Sequence, residues 1–201
     1  MKLHAVLTTA ALAFAAPALA QAPQAAQPAQ NTAPAAPAAA AQDKGAAKGP
    51  EAKKGEMARA MLKDPNGQAM GEVTLQQTPG GLLVRGTLSG VPAGEHAIHI
   101  HETGKCEGPD FKTAGGHFNP GKKAHGLMSA KGKHAGDLPN LYVGQDGKLQ
   151  FEHFANNGLK LKSLMDKDGS AIVVHAKADD HMTDPAGDAG GRIACGTVEM
   201  Q

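Results

Sequence analysis

Seven side chains of the types that bind metal ions lie between residues 99 and 175. They are His99, His101, His117, His125, His134, Asp137 and His175. Imidazole nitrogens and carboxylate oxygens are donors that zinc and copper(II) accept in proteins. If His117 is shared between two halves of this set, each half has four donors. The sequence therefore predicts a centre for two neighbouring metal ions.

His99 and His101 flank Ile100 in a short alternating segment. Alternate side chains of a strand share one face. We therefore expect Ile98 and Ile100 to face a core and both histidines to point outward, where they could clamp one ion. A His-x-His pair alone is a weak signal. His175 follows the apolar run 172–174. The alternative to a metal-ligand role for it is a core histidine whose ring is hydrogen-bonded to a carbonyl.

The second half of the set has the spacing His117-x7-His125-x8-His134-x2-Asp137 in a glycine-rich stretch. Three imidazoles and one carboxylate match a closed tetrahedral zinc site. The alternative is a scatter of exposed histidines on a loop. Because all four donors fall within 21 residues, a zinc site is favoured.

The elements that must position these residues are predicted to be strands. Eight short apolar or alternating runs have period two, and no convincing amphipathic helix is present. Asn66-Gly67 predicts a hairpin with a primed turn, and Asp146-Gly147 plays the same part before the sixth strand. These signals predict an all-β, eight-stranded antiparallel sandwich or barrel. The eight predicted strands are 57–62, 68–77, 82–88, 95–101, 141–143, 148–154, 171–176 and 193–199.

Two long stretches, 103–140 and 179–191, fit no strand. The first is rich in glycine, lysine and histidine, and the second in aspartate and glycine. Long irregular loops in a compact β domain usually carry function. We therefore expect both to be functional loops.

The N-terminal 55 residues are predicted to lie outside the domain. Residues 1–20 have a basic start, an apolar run and the small-x-small sequence Ala18-Leu19-Ala20, which is typical of a secretory signal cleaved after Ala20. An ordinary N-terminal helix is the alternative. The run is too short for a membrane span. Residues 21–55, rich in alanine, proline and glutamine, are predicted to be a disordered spacer, which leaves one domain over 56–201.

The composition of residues 56–201 narrows the partners and the means of stabilisation. Fifteen basic and 17 acidic residues give a net charge of −2, and without a basic stripe nucleic acid is an unsuitable partner. The chain has two cysteines, Cys106 and Cys195, and an even count in an exported protein favours a disulfide over two free thiols. Closing a loop of roughly 90 residues would stabilise the fold by about 4–5 kcal/mol in the chain-entropy model.

Five ordered motifs together resemble copper/zinc superoxide dismutase of the bacterial exported kind, over the whole of 56–201. They are His99-Ile100-His101, Gly116-His117-Phe118-Asn119-Pro120, His134-Ala135-Gly136-Asp137-Leu138, Val173-Val174-His175 and Gly190-Gly191-Arg192-Ile193-Ala194-Cys195-Gly196. The resemblance implies a Greek-key β-barrel or sandwich of immunoglobulin-like type, in the periplasm. It also implies one copper and one zinc ion per subunit, and conversion of superoxide to dioxygen and hydrogen peroxide by alternate reduction and re-oxidation of the copper.

The resemblance also implies a role for each matching residue. His117 would bridge the metals as imidazolate and carry a proton, and Arg192 would bind superoxide above the copper; a structural arginine bonded to loop carbonyls is the alternative for Arg192. Asp179 would link His99 to His125, and Cys106 would pair with Cys195. The implied copper ligands are His99, His101, His117 and His175, and the implied zinc ligands are His117, His125, His134 and Asp137.

The match departs from the eukaryotic members in several places, and other functions stay open. Cys106 follows His101 sooner than in those members, and the stretch from Cys106 to His117 is longer. The loop before Arg192 is shortened and acidic, and the steering lysine of the eukaryotic members has no clear match in it. An exported copper or zinc carrier on the same fold is the alternative function; a purely structural sandwich would leave seven ligands unexplained. Both a monomer and a homodimer remain open. His96 is expected to be a structural hydrogen-bonder, and His153 and His181 to be exposed or locally bonded.

Overall fold

The structure, a computed structural model, describes residues 56–155 and 158–201. The predicted signal (1–20) and spacer (21–55) lie outside these residues. Within the described residues the chain forms nine strands, one four-residue helix and one 3-10 turn at Lys112–Ala114. The strands are β1 (Met57–Lys63), β2 (Ala69–Thr78), β3 (Gly81–Ser89), β4 (Gly94–His96), β5 (Ile98–His101), β6 (Leu141–Val143), β7 (Lys148–Ala155), β8 (Ala171–His175) and β9 (Arg192–Met200). The helix is α1 (Leu161–Leu164).

Every strand pairing in the described residues is antiparallel. Seven strands form one curled sheet in the order β5-β8-β9-β1-β2-β3-β7, and β4 pairs with β6 separately. The chain passes from β7 at one edge of the large sheet to β8, next to the opposite edge, which is the long return connection of a Greek key. The predicted all-β antiparallel class is therefore confirmed.

The predicted fourth strand, 95–101, is two strands, so the expected count of eight is wrong. β4 pairs with β6, whereas β5 pairs with β8. The break falls at Ala97, whose N–H donates to Lys177 O (2.8 Å) and whose carbonyl accepts from His175 N–H (2.9 Å). The apolar pattern runs through this break because Ala97 and Ile98 are both fully buried, so periodicity alone could not place it.

The two predicted tight turns are also different from expectation. In the first, Gly67 has a φ of 82° but Asn66 is not left-handed, whereas a primed type I turn needs positive φ at both positions. Asp64 instead closes a longer turn, because its Oδ1 accepts the N–H groups of Asn66 and Gln68 at 2.9 and 2.8 Å. Asp146-Gly147 joins β6 to β7, which belong to different sheets.

The core lies inside the curled sheet and consists of aliphatic side chains at alternating strand positions. On β1, for example, Ala58, Ala60 and Leu62 are fully buried while the residues between them are partly or fully exposed. A smaller apolar cluster lies on the outer face of β8, under the loop that follows β5. Its members are Phe111, Ala114, Ala171, Val173 and Cys195.

The stretches predicted to fit no strand, 103–140 and 179–191, lie within two long loops, 102–140 and 176–191, that form no strand. Both lie next to the outer face of β5 and β8, as the hydrogen bonds described below show. Among the described residues, no helix has the length and apolar character needed to cross a membrane.

Candidate metal centre

Strand β5 places the first two histidines. Ile98 and Ile100 face the core, and His99 and His101 lie on the opposite face, as expected. That face is not open to solvent: both histidines are 0% exposed, because the two long loops cover it. His175 follows a register shift at the end of β8, and its Nε2 lies 3.4 Å from Nε2 of His101.

The loop 102–140 is bound along β5 by backbone hydrogen bonds. Ile100 N–H donates to Gly136 O (2.9 Å), and Ile100 O accepts from Phe118 N–H (2.8 Å). A Cβ on Gly136 would lie 2.2 Å from Ile100 O, so only glycine permits this approach. As a result His117, which precedes Phe118, and Asp137, which follows Gly136, lie beside the strand histidines.

The first group of donors is the four-histidine cluster: His99, His101, His117 and His175. Their donor atoms lie within 4.8 Å of one another, and all four residues are buried. In each ring one nitrogen is anchored by an acceptor. The anchoring contacts are His99 Nε2 to Asp179 (2.7 Å), His101 Nδ1 to Gly115 O (3.0 Å), His117 Nδ1 to Asp137 (2.9 Å) and His175 Nδ1 to Gly190 O (3.4 Å).

The other nitrogen of each ring faces the cluster. Among them, His99 Nδ1 and His117 Nε2 are buried and have no hydrogen-bond partner. Burying a polar atom without a partner is costly. A metal ion with nitrogen ligands removes that cost, and copper(II) favours such a donor set. The cluster therefore fits copper.

The second group is the mixed cluster: His117, His125, His134 and Asp137. Asp137 Oδ1 lies 2.9, 3.2 and 3.2 Å from Nδ1 of His117, His125 and His134. Its Oδ2 is held by the N–H groups of Gly126 and His134, both at 2.9 Å, which aims Oδ1 at the three rings. Three nitrogens and one oxygen, all buried, fit a closed tetrahedral zinc site.

His117 belongs to both clusters through opposite edges of one ring. Its Nδ1 faces Asp137 in the mixed cluster, and its Nε2 is one of the two unpartnered nitrogens in the four-histidine cluster. The ring is packed against His99, with centroids 3.9 Å apart. A single imidazole placed this way can contact two metal ions at once.

The two clusters differ in their electrostatics. In the four-histidine cluster burial lowers the pKa of His99 to about 4, of His175 to about 3, and of His101 well below its usual value. In the mixed cluster burial also acts to lower the pKa of His125, but hydrogen bonds to Asp137 and Asp179 outweigh it and raise that pKa to about 9. The neutral imidazole that copper needs is therefore the stable form of His99, His101 and His175.

Asp179 lies between the clusters. Its Oδ2 accepts from His99 Nε2 (2.7 Å) and its Oδ1 from His125 Nε2 (2.9 Å). Burial tends to raise the pKa of this carboxyl, but the two histidine hydrogen bonds hold it well below its usual range. A carboxylate that receives both Nε2 protons leaves both Nδ1 atoms free for metal.

Arg192 and the cysteines lie at the edge of the four-histidine cluster. Arg192 is the β9 residue opposite His175, and its Nη1 and Nη2 donate to Phe111 O and Gly115 O, both at 2.6 Å. Cys106 and Cys195 form the predicted disulfide, which ties this same loop to β9 across 89 residues of sequence.

The histidines outside the clusters have local roles. His96 lies 2.8 Å from His175 O and 2.9 Å from Pro92 O, so it is a structural hydrogen-bonder, as expected. His153 is half-buried on β7, next to Phe151. His181 is locally bonded, but to Asp179, a connection that sequence reasoning did not anticipate.

Three further contacts in the centre were not predicted. Asn140 accepts from Asp179 N–H and donates to Asp179 O, both at 2.9 Å. Lys133 Nζ donates to Asp137 O (3.1 Å). Gly187 lies against the carboxylate of Asp179, since a Cβ at position 187 would be 1.8 Å from Asp179 Oδ1. Only the positions of these residues beside motif residues hinted at a role.

Comparisons with known proteins agree with this geometry. Residues 69–198 match the family model described as copper/zinc superoxide dismutase (SODC). The chain is 44% identical over 146 residues to superoxide dismutase [Cu-Zn] 1 of Aquifex aeolicus, covering 70% of this chain and 86% of that protein. It is 42% identical over 149 residues to superoxide dismutase [Cu-Zn] of Caulobacter vibrioides, covering 71% and 85%.

A solved structure is similar in fold as well. The Cu/Zn superoxide dismutase from Brucella abortus superposes with a TM-score of 0.61 at 31% identity, covering 72% of this chain and 100% of that one. The family-model match over residues 69–198 spans all members of both clusters.

Proposed function

We propose that this chain, which belongs to the copper/zinc superoxide dismutase family, holds copper in the four-histidine cluster and zinc in the mixed cluster. The activity is the dismutation of superoxide to dioxygen and hydrogen peroxide, with one copper and one zinc ion per subunit. The observation that supports these ligand sets is the orientation of the rings. His99, His101 and His175 each have one nitrogen anchored by an acceptor and the other aimed into the four-histidine cluster. His117, His125 and His134 all direct Nδ1 at the Asp137 carboxylate in the mixed cluster. When bound, copper supplies the one-electron chemistry, and zinc, which is redox-inert, supplies charge and order.

His117 is the residue to which we assign the bridge and the proton. Its Nδ1 faces the mixed cluster and its Nε2 faces the four-histidine cluster, so this ring would contribute to holding both ions when they are bound, and its Nε2 is the atom that would hold a proton. Two superoxide anions and two protons give one dioxygen and one hydrogen peroxide. Nε2 of His117 delivers one of these protons to the second superoxide, and solvent supplies the other.

Arg192 is the residue to which we assign superoxide binding. The guanidinium stays charged at any physiological pH and has five N–H donors. The two 2.6 Å bonds to Phe111 O and Gly115 O use part of that capacity and fix the plane of the group. These two hydrogen bonds to loop carbonyls are those expected of a structural arginine. They also hold the positive charge beside His175, where an anion would approach the proposed copper site.

Secretion is the remaining part of the proposal. We assign residues 1–20 as a signal cleaved after Ala20, residues 21–55 as a disordered spacer, and the periplasm as the compartment. The Cys106–Cys195 disulfide supports an oxidising compartment. The mass of the protein isolated from the periplasm would test the cleavage site, and a chain that begins at Met1 would contradict it.

The decisive experiment is the second-order rate of superoxide loss, measured by pulse radiolysis on the oxidised mature protein with its copper and zinc content assayed. We expect a rate near the diffusion limit of about 10⁸–10⁹ M⁻¹s⁻¹ with one ion of each metal per chain. A full metal load with little turnover would favour the carrier alternative, which family membership does not favour. Sedimentation of the same sample distinguishes a monomer from a homodimer.

A further inference from the structure

The Asp179 carboxylate needs support that its own element does not supply. It lies in the loop 176–191, not on a strand, yet it must present two oxygens to two different rings at 2.7 and 2.9 Å. A carboxylate on an unsupported loop would reorient and lose one of these bonds. Residues around Asp179 must therefore hold it in place.

His181 contacts this carboxylate twice. Its backbone N–H donates to Asp179 Oδ1 at 2.6 Å, and its Nδ1 lies 3.5 Å from Asp179 Oδ2. That Nδ1 is buried and has no hydrogen-bond partner, while the side chain as a whole is 19% exposed. The imidazole therefore lies against Asp179 while part of its own surface is exposed.

His181 also contacts the other loop, which carries the zinc-side histidines. Its carbonyl accepts from Met128 N–H at 3.1 Å, and it lies so close to Gly126 that a Cβ there would be 1.9 Å away. Its Nε2 is 3.4 Å from Asn140 Nδ2, and Asn140 itself binds the backbone of Asp179. One residue thus joins the two loops at Asp179.

The backbone of His181 has the conformation that these contacts require. Its φ is 60°, in the left-handed region that is unfavourable for residues other than glycine and, to a lesser degree, asparagine, aspartate and histidine. This conformation turns the N–H back to Asp179 while the carbonyl points to Gly126. Such strain persists only where the surroundings hold it in place.

We infer that His181 is a positioning residue that locks Asp179 between His99 and His125 and fastens the loop 176–191 to the loop that carries the proposed zinc ligands. This inference rests on the proposed copper and zinc sets, because Asp179 matters through the rings that it orients. A group that orients a metal-ligating histidine typically contributes about 10–100-fold to metal affinity. The effect should be largest for zinc, because His125 is a loop residue with no strand behind it.

The test compares His181→Ala, His181→Asn and His181→Gly with the parent, each loaded with both metals. The rate of zinc release to a chelating dye is measured, together with the visible spectrum of copper(II). We expect His181→Ala to release zinc about 10–100-fold faster and to shift the copper band, since His99 shares the carboxylate. Asparagine tolerates the left-handed backbone and supplies a donor, so the zinc release rate of His181→Asn should stay close to that of the parent. His181→Gly keeps only the backbone contacts, so its rate should lie between those of the parent and His181→Ala.

Met182→Ala is the matched control, because Met182 is the next residue in the same loop and is 62% exposed; it should release zinc at the parent rate. Melting temperatures are measured for the metal-free and the loaded forms. A positioning role lowers the loaded value of His181→Ala more than the metal-free one. Equal losses in both forms, or zinc release from His181→Ala at the parent rate, would overturn the inference. A parent protein that binds no stoichiometric zinc would overturn the proposed function instead.

Discussion

The two halves of the metal centre reach full burial by different means. Three residues of the four-histidine cluster belong to strands β5 and β8, and the cluster contains only imidazoles. The mixed cluster is formed entirely by a loop and contains a carboxylate. Burial, together with the charges of neighbouring residues, lowers the pKa of the strand histidines, whereas carboxylates raise the pKa of His125. A strand can hold neutral ligands in place by packing, but a loop needs charge and hydrogen bonds to hold its ligands.

The same contrast explains the density of polar contacts on the loop side. Asp137, Asp179 and Asn140 are almost fully buried, and each makes several hydrogen bonds. On the strand side, the rings are held by backbone carbonyls, except where His99 meets Asp179 and His117 meets Asp137. The loop side should therefore depend more on individual side chains, and the following substitutions test that difference.

Replacing the shared residue should have the largest effect. In His117→Ala neither cluster keeps four donors, and the bridge and the proton carrier are both lost. We expect the rate of superoxide loss to fall on the order of a hundredfold or more, the range associated with removing a positioned proton donor. Pulse radiolysis at equal copper content measures it. A variant with the parent rate would mean that the clusters do not act through one ring.

Single-cluster substitutions should separate the two halves. Asp137→Ala removes the only carboxylate of the mixed cluster, and we expect zinc affinity to fall by more than about a hundredfold, since a ligand matters at least as much as the groups around it. His175→Ala should do the same to copper and leave zinc bound. Metal content after dialysis against graded chelator measures both. Loss of both metals from either variant would show that the halves are not independent.

Arg192 should change the rate without changing either metal. In Arg192→Ile the positive charge beside His175 is removed, and we expect superoxide loss to slow by about tenfold or more with metal content unchanged. Raising the ionic strength should slow the parent, because salt screens attraction of an anion, and should slow the variant less. A parent rate that is flat with salt would contradict steering by surface charge.

His153 offers the smallest effect and a reference for burial alone. Burial lowers its pKa below 6.5, so the folded protein binds this proton less readily than the unfolded chain. The contribution of neutral His153 to the free energy of unfolding is complete above pH 6.5. It is lost as the pH falls from 6.5 through the lowered pKa. His153→Gln should reduce the loss of melting temperature that the protein shows between pH 7 and pH 5. Thermal melts at pH 7 and at pH 5 measure this. The prediction fails when the parent and the variant lose the same melting temperature between the two pH values.

Strand alternation and ligand spacing predicted most of the fold and the membership of both clusters. Ile98 and Ile100 marked the core face of β5, and the spacing from His117 to Asp137 marked the loop set. These signals are local in sequence, so one stretch is enough to recognise them. The disulfide was predicted from an even count of cysteines and the family motifs, and the bonded pair is present.

What the sequence did not predict depends on contacts between distant segments. The division at Ala97 arises because its two neighbours join different sheets. The complete burial of His99 and His101 arises from loops that begin after β5 and after β8. His181 and Gly187 act on Asp179 through the path of the backbone, and neither residue type signals such a contact by itself.

The position of β9 also has a consequence in time. The ribosome makes β1, β2 and β3 early, and these strands pair with one another. β9 comes last, yet it pairs with both β1 and β8 and carries Arg192 and Cys195. Until it emerges, Cys106 has no partner thiol and the large sheet is open along one side of β1. A nascent chain therefore passes through a stage in which all seven proposed metal ligands are already made, while Arg192 and the disulfide that ties their loop to β9 are still missing.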